Sequence, residues 1–294
     1  MKPPPFKYYA PTSLDEALDH LAEYGSDAKI LAGGQSLIPT MNFRLAQPEV
    51  LIDLNGVEAL NYIRPADAGG LTIGAMTRQR QVERDELIAE HSPLIFETMP
   101  YIAHPQIRNR GTFGGSIAHA DPAAELPAVV TVLEAQLKLQ SKTGSRLVPG
   151  DEFFTDLFET ALEPDEVLTE IILPPLPART GYAFEEVSRR HGDYALVGAV
   201  AAIRLDAQGN CDQAKLVYFS VGSGPVAADQ ATALLQGLPL TADAIAAAAE
   251  TAGEHDLDPP ADIHASAQFR RHLAKTLGKR VLAKAHDRAR TSDE

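Results

Sequence analysis

Two glycine pairs, each leading through a serine to an apolar residue, constrain this chain more than any other feature. The first interrupts KILAGGQSLIP, residues Lys29 to Pro39, where a short apolar run breaks at Gly33 and Gly34 and Ser36 follows. The second sits in NRGTFGGSIAHADPAAELP, residues Asn109 to Pro127, at Gly114, Gly115 and Ser116. Glycine lacks a Cβ, so it accepts positive φ and lets another group touch the backbone. Successive amides in such a turn form a concave nest that attracts anions. Ser36 and Ser116 can each add a hydroxyl. One nest suits one phosphate, and two suit the two sides of a diphosphate. Arg108 and Arg110 stand just before the second turn and could assist. The residues alone leave two readings open: a pair of tight turns, or a divided anion site.

The remaining pattern predicts a mixture of strands and helices. Ser13 and Glu16 have capping-box spacing, Leu14, Ala17, Leu18 and Leu21 share a helical face, and Gly25 ends that helix. Strands are expected at 28–32, 50–54, 71–75, 137–139, 146–148 and 167–173, with helices starting near Thr77 and covering 91–101 and 125–133. LPPLPAR, Leu173 to Arg179, is a proline-rich connector and the best boundary. It separates residues 1–175, with parts at about 1–55 and 56–175, from residues 179–288. Beyond it, 181–187, 195–205 and 216–221 read as an antiparallel sheet of three strands. Helices follow at 226–236, 242–252 and from Ser266 to about His286. In the last, Phe269, Leu273, Leu277 and Val281 recur every four residues, a packing stripe.

A net charge of −14 argues against a nucleic-acid partner, because the field is repulsive to phosphates. One cysteine, Cys211, cannot build a disulfide framework, a thiolate zinc site or an iron–sulfur cluster within this chain. MKPPPFKYY has no apolar secretory core, and no apolar run reaches the ~18 residues of a membrane helix. A cytoplasmic protein with a reduced Cys211 is expected.

Other motifs carry less. VGSGPVA, Val221 to Ala227, fits the dinucleotide fingerprint in form, but GLPLTADAIAAAA follows where a second parallel strand should be. His119, Asp121 and Glu125 lack the spacing of a helical metal site, so no metal is expected. No serine lies in a nucleophile elbow, and no acid–base catalyst stands out. Arg270, Arg271, Lys275, Lys279, Arg280 and Lys284 read as a solvated basic helix face. In RRHGDYALVGA, Tyr194 either fills a core edge or stacks on a flat ligand.

AGGQSLIPTMNFRLAQPEVLIDL, RNRGTFGGSIAHADPAAELPA, RRHGDYALVGA and DIHASAQFRRHLAKTLGKRVL together resemble, in order and over nearly the whole chain, the FAD-binding medium subunit of molybdenum hydroxylases, nearest the carbon monoxide dehydrogenase branch of the xanthine dehydrogenase family. The resemblance implies an α+β fold: a two-subdomain FAD-binding part, then a three-stranded antiparallel sheet with a helical bundle. It implies an FAD-containing oxidoreductase subunit. Electrons would come from [2Fe-2S] clusters on a small partner, after chemistry at a molybdenum cofactor on a large partner, and leave to an external acceptor. A dimer of heterotrimers is implied as the assembly. It places Ala32, Gly33, Gly34, Gln35 and Ser36, with Thr112, Phe113, Gly114, Gly115 and Ser116, at the FAD diphosphate. Ile102, Asp121 or Glu125, and Val167 or Leu168 would complete the flavin site, with Tyr194 near the isoalloxazine. Glu185 and Glu186 depart from relatives that carry a lysine near the flavin. The alternative is a self-contained flavin oxidoreductase of the same broad fold.

Overall fold

Residues 2–292 are described by the structure, a computed structural model. Ser13 caps the helix Leu14–Tyr24 by accepting from Glu16 N at 3.2 Å. The return bond of the box goes one residue further out, with Glu16 Oε2 accepting from Thr12 N at 2.8 Å. Ala17, Leu18 and Leu21 of that helix share a core with the parallel sheet ordered Lys7–Tyr9, Val50–Asp53, Ala28–Leu31. The chain leaves Ala28–Leu31 through the first glycine pair and enters a short helix, Leu37–Asn42.

A second, antiparallel sheet has five strands in the order Ile63–Pro65, Leu71–Gly74, Val167–Leu173, Gln136–Ser141, Gly144–Pro149. Helices Pro93–Thr98, Phe113–His119 and Glu125–Val132 bury their apolar residues in the same cluster as these strands. The expected helix after Thr77 divides into Gln79–Val82 and Glu86–His91, with Asp85 capping the second.

The last sheet carries Thr180–Ser188, Ala195–Leu205 and Cys211–Phe219, all antiparallel, as expected. A two-residue edge strand, Val226–Ala227, pairs with the third. This corrects the helix expected over 226–236: only Asp229–Ala233 is helical, because the chain after Pro225 first completes the sheet edge. The antiparallel return also leaves VGSGPVA without the parallel strand that a dinucleotide fingerprint needs. Cys211 opens a strand and is buried.

Both faces of this sheet are covered. Phe184, Val200, Val217 and Phe219 join the core of the preceding part, while Ala183, Val197, Ala201 and Tyr218 pack beneath the long helix Ala267–Thr291. On that helix Leu277 and Val281 are buried, but Phe269 is 47 % exposed, so the apolar stripe stops short of the first turn. Arg288 bridges the two halves of the chain: it bonds Glu97 through both nitrogens, at 2.9 and 2.7 Å, and Tyr182 O at 2.7 Å.

Candidate functional site

The two glycine motifs, about eighty residues apart in sequence, lie against each other. A Cβ built on Gly33 would stand 2.6 Å from Arg110 O and 2.7 Å from Gly111 Cα. One on Gly115 would be 3.2 Å from the Ala32 Cβ. The gaps at Gly33 admit hydrogen and nothing larger, and the one at Gly115 is a tight contact. Asn55 and Arg78 brace the junction. Asn55 Nδ2 donates to Ala32 O at 2.9 Å, and Arg78 Nη2 donates to Asn55 Oδ1 at 2.5 Å. Arg78 Nη1 donates to Arg110 O. Burial, then the nearby Arg110 charge, lowers the Arg78 pKa. Neither Asn55 nor Arg78 was legible as a site residue, since each acts only through this tertiary junction.

The motifs are not equivalent. In the first, Gly34 has φ 74°, Gln35 Nε2 folds back onto Gly33 O at 3.1 Å, and Ser36 makes no side-chain cap bond to the following helix. At the start of this helix Ile38 N donates to Gly34 O at 3.3 Å and Thr40 N to Ser36 O at 3.0 Å, and Pro39 has no N–H, which leaves the amides of Gly34, Gln35, Ser36 and Leu37 without a backbone acceptor. The second motif departs from the expected open nest. It is the first turn of helix Phe113–His119, capped by Thr112, whose Oγ1 accepts from Gly115 N at 3.1 Å. Phe113 N donates to Thr77 O at 2.9 Å, Gly114 N to Ala75 O at 2.9 Å, and Ser116 N to Thr112 O at 3.2 Å. Its amides are therefore committed inside the protein. What it offers outward is a side-chain-free wall and the Ser116 hydroxyl. Phe113 and Leu168, at 0 % and 4 % exposure, are core, so their part is packing behind the site.

Arg108 is also corrected. It is 4 % exposed and bonds both carboxylate oxygens of Glu83 at 3.0 Å and Ile102 O at 2.8 Å. This guanidinium holds the Ile102 segment in place and is not available to an anion.

Helix Phe113–His119 spans about 10 Å and delivers the chain from the glycine junction to Asp121. There the second half of the site assembles from both parts of the molecule. Asp121 Oδ1 accepts from Ala123 N at 2.9 Å, and Glu125 opens the next helix. The 189–194 loop seats on the Ile102 segment: a Cβ on Gly192, at φ 87°, would meet the His104 ring at 2.5 Å and Ala103 O at 2.7 Å. Tyr101 supports the loop by stacking on His191 with ring centroids 5.7 Å apart. Tyr194, at the loop's end, is 67 % exposed, so it is not core filling. Its phenol pKa is raised, by crowding from the surrounding protein first and by the Asp121 and Glu125 carboxylates next.

Glu125 is buried, which pushes its carboxyl up to about 7, with a smaller push from Asp121. Glu186 is raised to about 8, by burial and then by Glu125, and its Oε2 is buried without a hydrogen-bond partner. Glu185 faces the opposite side of the strand, 3.8 Å from Arg280. The two adjacent acids are thus unlike: one lies on the long-helix side and one inside the junction between the two halves. His119, lowered by burial against the raising effect of Asp121, completes the titratable set. Among the described residues no group of His, Cys, Asp and Glu could hold a metal ion, and no helix is long and apolar enough to cross a membrane.

These two assemblies fit a dinucleotide with a diphosphate linker. Amides without a backbone acceptor and the Ser36 and Ser116 hydroxyls belong to a junction whose carboxylate, Asp53, is taken up by Asn55 and Tyr8, and an exposed aromatic ring stands with the flanking acid cluster beyond one helix.

Residues 4–176 match the model of the FAD-binding domain in molybdopterin dehydrogenase, and residues 182–285 match the CO dehydrogenase flavoprotein C-terminal domain. The chain belongs to the FAD-binding medium subunits of the molybdenum hydroxylases. Its fold is theirs. A carbon monoxide dehydrogenase chain from Hydrogenophaga pseudoflava, solved in a form lacking the Mo-pyranopterin moiety, superimposes with a TM-score of 0.94 at 39 % identity, covering 98 % of this chain and 99 % of that one. The 6-hydroxypseudooxynicotine dehydrogenase complex subunit alpha of Paenarthrobacter nicotinovorans is 45 % identical over 100 % of this chain and 99 % of its own. The carbon monoxide dehydrogenase medium chain of Hydrogenophaga pseudoflava is 38 % identical over 96 % of this chain and 97 % of its own. This medium subunit is accordingly an FAD-containing oxidoreductase subunit of a multi-subunit molybdenum hydroxylase.

Proposed function

We propose that this medium subunit holds FAD across the two assemblies and passes electrons from [2Fe-2S] clusters of a small partner, reduced by the molybdenum-cofactor subunit, to an external acceptor. The contact between the glycine motifs carries the reading, because it brings Ala32–Ser36 and Thr112–Ser116 to one place. The diphosphate would lie on the amides after Gly34, with the Ser36 and Ser116 hydroxyls beside it and Gly115 leaving room. The flavin ring would lie against Tyr194, with Ile102, Asp121 and Glu125 around it and Leu168 in the layer behind. FAD supplies the redox chemistry, and the protein supplies binding, orientation and electrostatics. The single, buried Cys211 fits a division of labour in which clusters reside on another chain. Residues 1–175 would be the FAD-binding part, with subdomains of about 1–55 and 56–175, and 179–288 the C-terminal part. The assembly would be a cytoplasmic dimer of heterotrimers.

The names of the relatives point to one organic and one inorganic substrate, carried beside closely similar medium chains. That supports substrate choice by the large subunit. The test is the flavin content and visible spectrum of the purified complex. Gly34→Val and Gly115→Val should each abolish flavin retention, and normal FAD binding by both would sink the binding model. A complex assembled without its iron–sulfur chain should keep its flavin but lose flavin reduction by substrate. Undiminished reduction would sink the electron route.

A further inference from the structure

The stretch DIHASAQFRRH folds into a device that flavin binding leaves unused. Asp262 Oδ1 accepts from the amides of His264 and Ala265 at 2.8 and 2.9 Å, and Ser266 caps the long helix by accepting from Phe269 N at 3.2 Å. This turn sets Arg270 in the first helical turn, where it is 5 % exposed, against the expectation of a solvated basic face. Its neighbours obey that expectation: Arg271 and Lys275 pair with Asp258, Glu250 and Glu254 at the surface. A buried guanidinium needs partners to offset its desolvation. Arg270 Nη2 donates to Asp262 Oδ2 at 2.6 Å, while Nη1 donates to Leu196 O and, at 3.3 Å, to Ser220 O.

Ser220 is the unusual member. Its φ is 64°, a left-handed conformation that strains a non-glycine residue. All of its polar groups are engaged. Its N–H donates to Pro122 O at 2.7 Å, its hydroxyl donates to Ala195 O at 2.6 Å, and its carbonyl accepts from Arg270. Pro122 directly follows Asp121, and Ala195 directly follows Tyr194. One strained residue therefore ties the loop carrying Asp121 to the strand start carrying Tyr194, and Arg270 anchors that tie to the long helix.

We propose that Ser220 and Arg270 form an inter-domain latch that sets the gap between Asp121 and Tyr194. Both are positioning residues, since they act through the two segments they join. The proposal rests on the reading of Tyr194 as a flavin-facing residue, so its test has one arm with flavin and one without.

In the flavin-free full chain, hydrogen exchange is followed in residues 120–124 and 189–196. Ser220→Ala, which removes one hydroxyl bond, should speed exchange in both segments together, about fivefold to tenfold, as expected for one lost hydrogen bond. Arg270→Met should speed it further, and Arg270→Lys should restore part of the protection. Exchange that rises in only one segment, or equally across the whole C-terminal sheet, overturns the latch. In the assembled complex, Ser220→Ala should shift the flavin absorption band in the same direction as Tyr194→Leu. If Tyr194→Leu moves the band and the latch variants lower only the melting midpoint, the positioning role is overturned and the flavin reading stands. If Tyr194→Leu itself leaves the band unmoved, the flavin reading fails, and the exchange result alone decides the latch.

Discussion

Gly33 and Gly111 touch backbone to backbone: a Cβ on the first would lie 2.7 Å from the Cα of the second. This contact is where the parallel sheet meets the rest of the FAD-binding part, and it brings together the two motifs that would face the diphosphate. Gly33→Val should therefore cost flavin retention and stability together. Overpacking of this kind costs about 1–3 kcal/mol. Flavin-to-protein ratio and the thermal midpoint check it; a variant that keeps both would show that the contact has slack.

Gly114 makes a separable prediction. A Cβ there would meet Ala75 Cβ at 2.5 Å and Ala75 Cα at 2.7 Å, on the side of the helix that packs against the sheet. Gly114→Ala should destabilise the fold by about 1–3 kcal/mol and weaken FAD binding only as the helix shifts. Gly34→Ala should weaken FAD binding by more than its loss of stability accounts for. Its Cβ meets only side-chain atoms of Leu31 and Ile38, at 3.2 and 3.3 Å, but its φ is 74°, which costs an alanine about 1–2 kcal/mol. The strain would fall on the amides proposed to hold the diphosphate. Urea midpoints read beside FAD affinities separate the two cases.

Long apolar runs were the most legible part of this fold. Strands Val167–Leu173 and Ala195–Leu205 fall where the sequence places them, because an uninterrupted apolar or alternating run bounded by turn residues admits little else. Short strands bounded by glycine or asparagine, such as Ala28–Leu31 and Leu71–Gly74, were legible too, but other short elements were not. Helix Leu37–Asn42 follows a glycine break and contains Pro39, and strand Val226–Ala227 exists only by pairing with Cys211–Phe219. The glycine motifs pointed to one site, but nothing local distinguishes an open nest from the first turn of a helix until Thr112 is seen to cap it. The unlike fates of Glu185 and Glu186 follow from a sheet covered on both faces, where alternation alone does not say which face meets which neighbour. Arg108 read as a helper at the anion site and Arg270 as a solvated cation, because burial of an arginine depends on distant carbonyls and carboxylates.

Arg108 and Glu83 form a paired, largely buried bridge, with side-chain exposures of 5 % and 14 %. Burial pushes the Glu83 carboxyl up, but hydrogen bonds from Arg108 and Arg80 outweigh it and hold its pKa below the ordinary value. Removing one partner of such a pair costs about 3–5 kcal/mol. Arg108→Met should lower the urea midpoint accordingly and release the Ile102 carbonyl. If FAD affinity instead collapses while stability is unchanged, Arg108 would be a ligand contact and the structural assignment wrong.

Glu125 and Glu186 predict the pH dependence of the flavin-free chain. Both carboxyls are raised from 4.5, to about 7 and about 8, so the folded state binds more protons than the unfolded state across that interval. Stability from these groups is fully present below the unfolded value and is lost as pH rises through the folded values. The chain should therefore weaken between about pH 4.5 and 8 and level off above. Asp121 and Tyr194 also face the pair, and His119 lies beyond Asp121; its lowered pKa makes its own contribution fall toward acid, opposite in sign. Glu125→Gln should flatten part of the slope and bring Glu186 back toward its ordinary range, because the Glu125 charge is the second cause of its shift. Glu125→Gln combined with Glu186→Gln should remove the decline. Urea midpoints measured across this range decide it: a wild-type chain that gains stability from pH 5 to 8, or a double variant with an undiminished slope, would show that the buried carboxyls do not hold their protons.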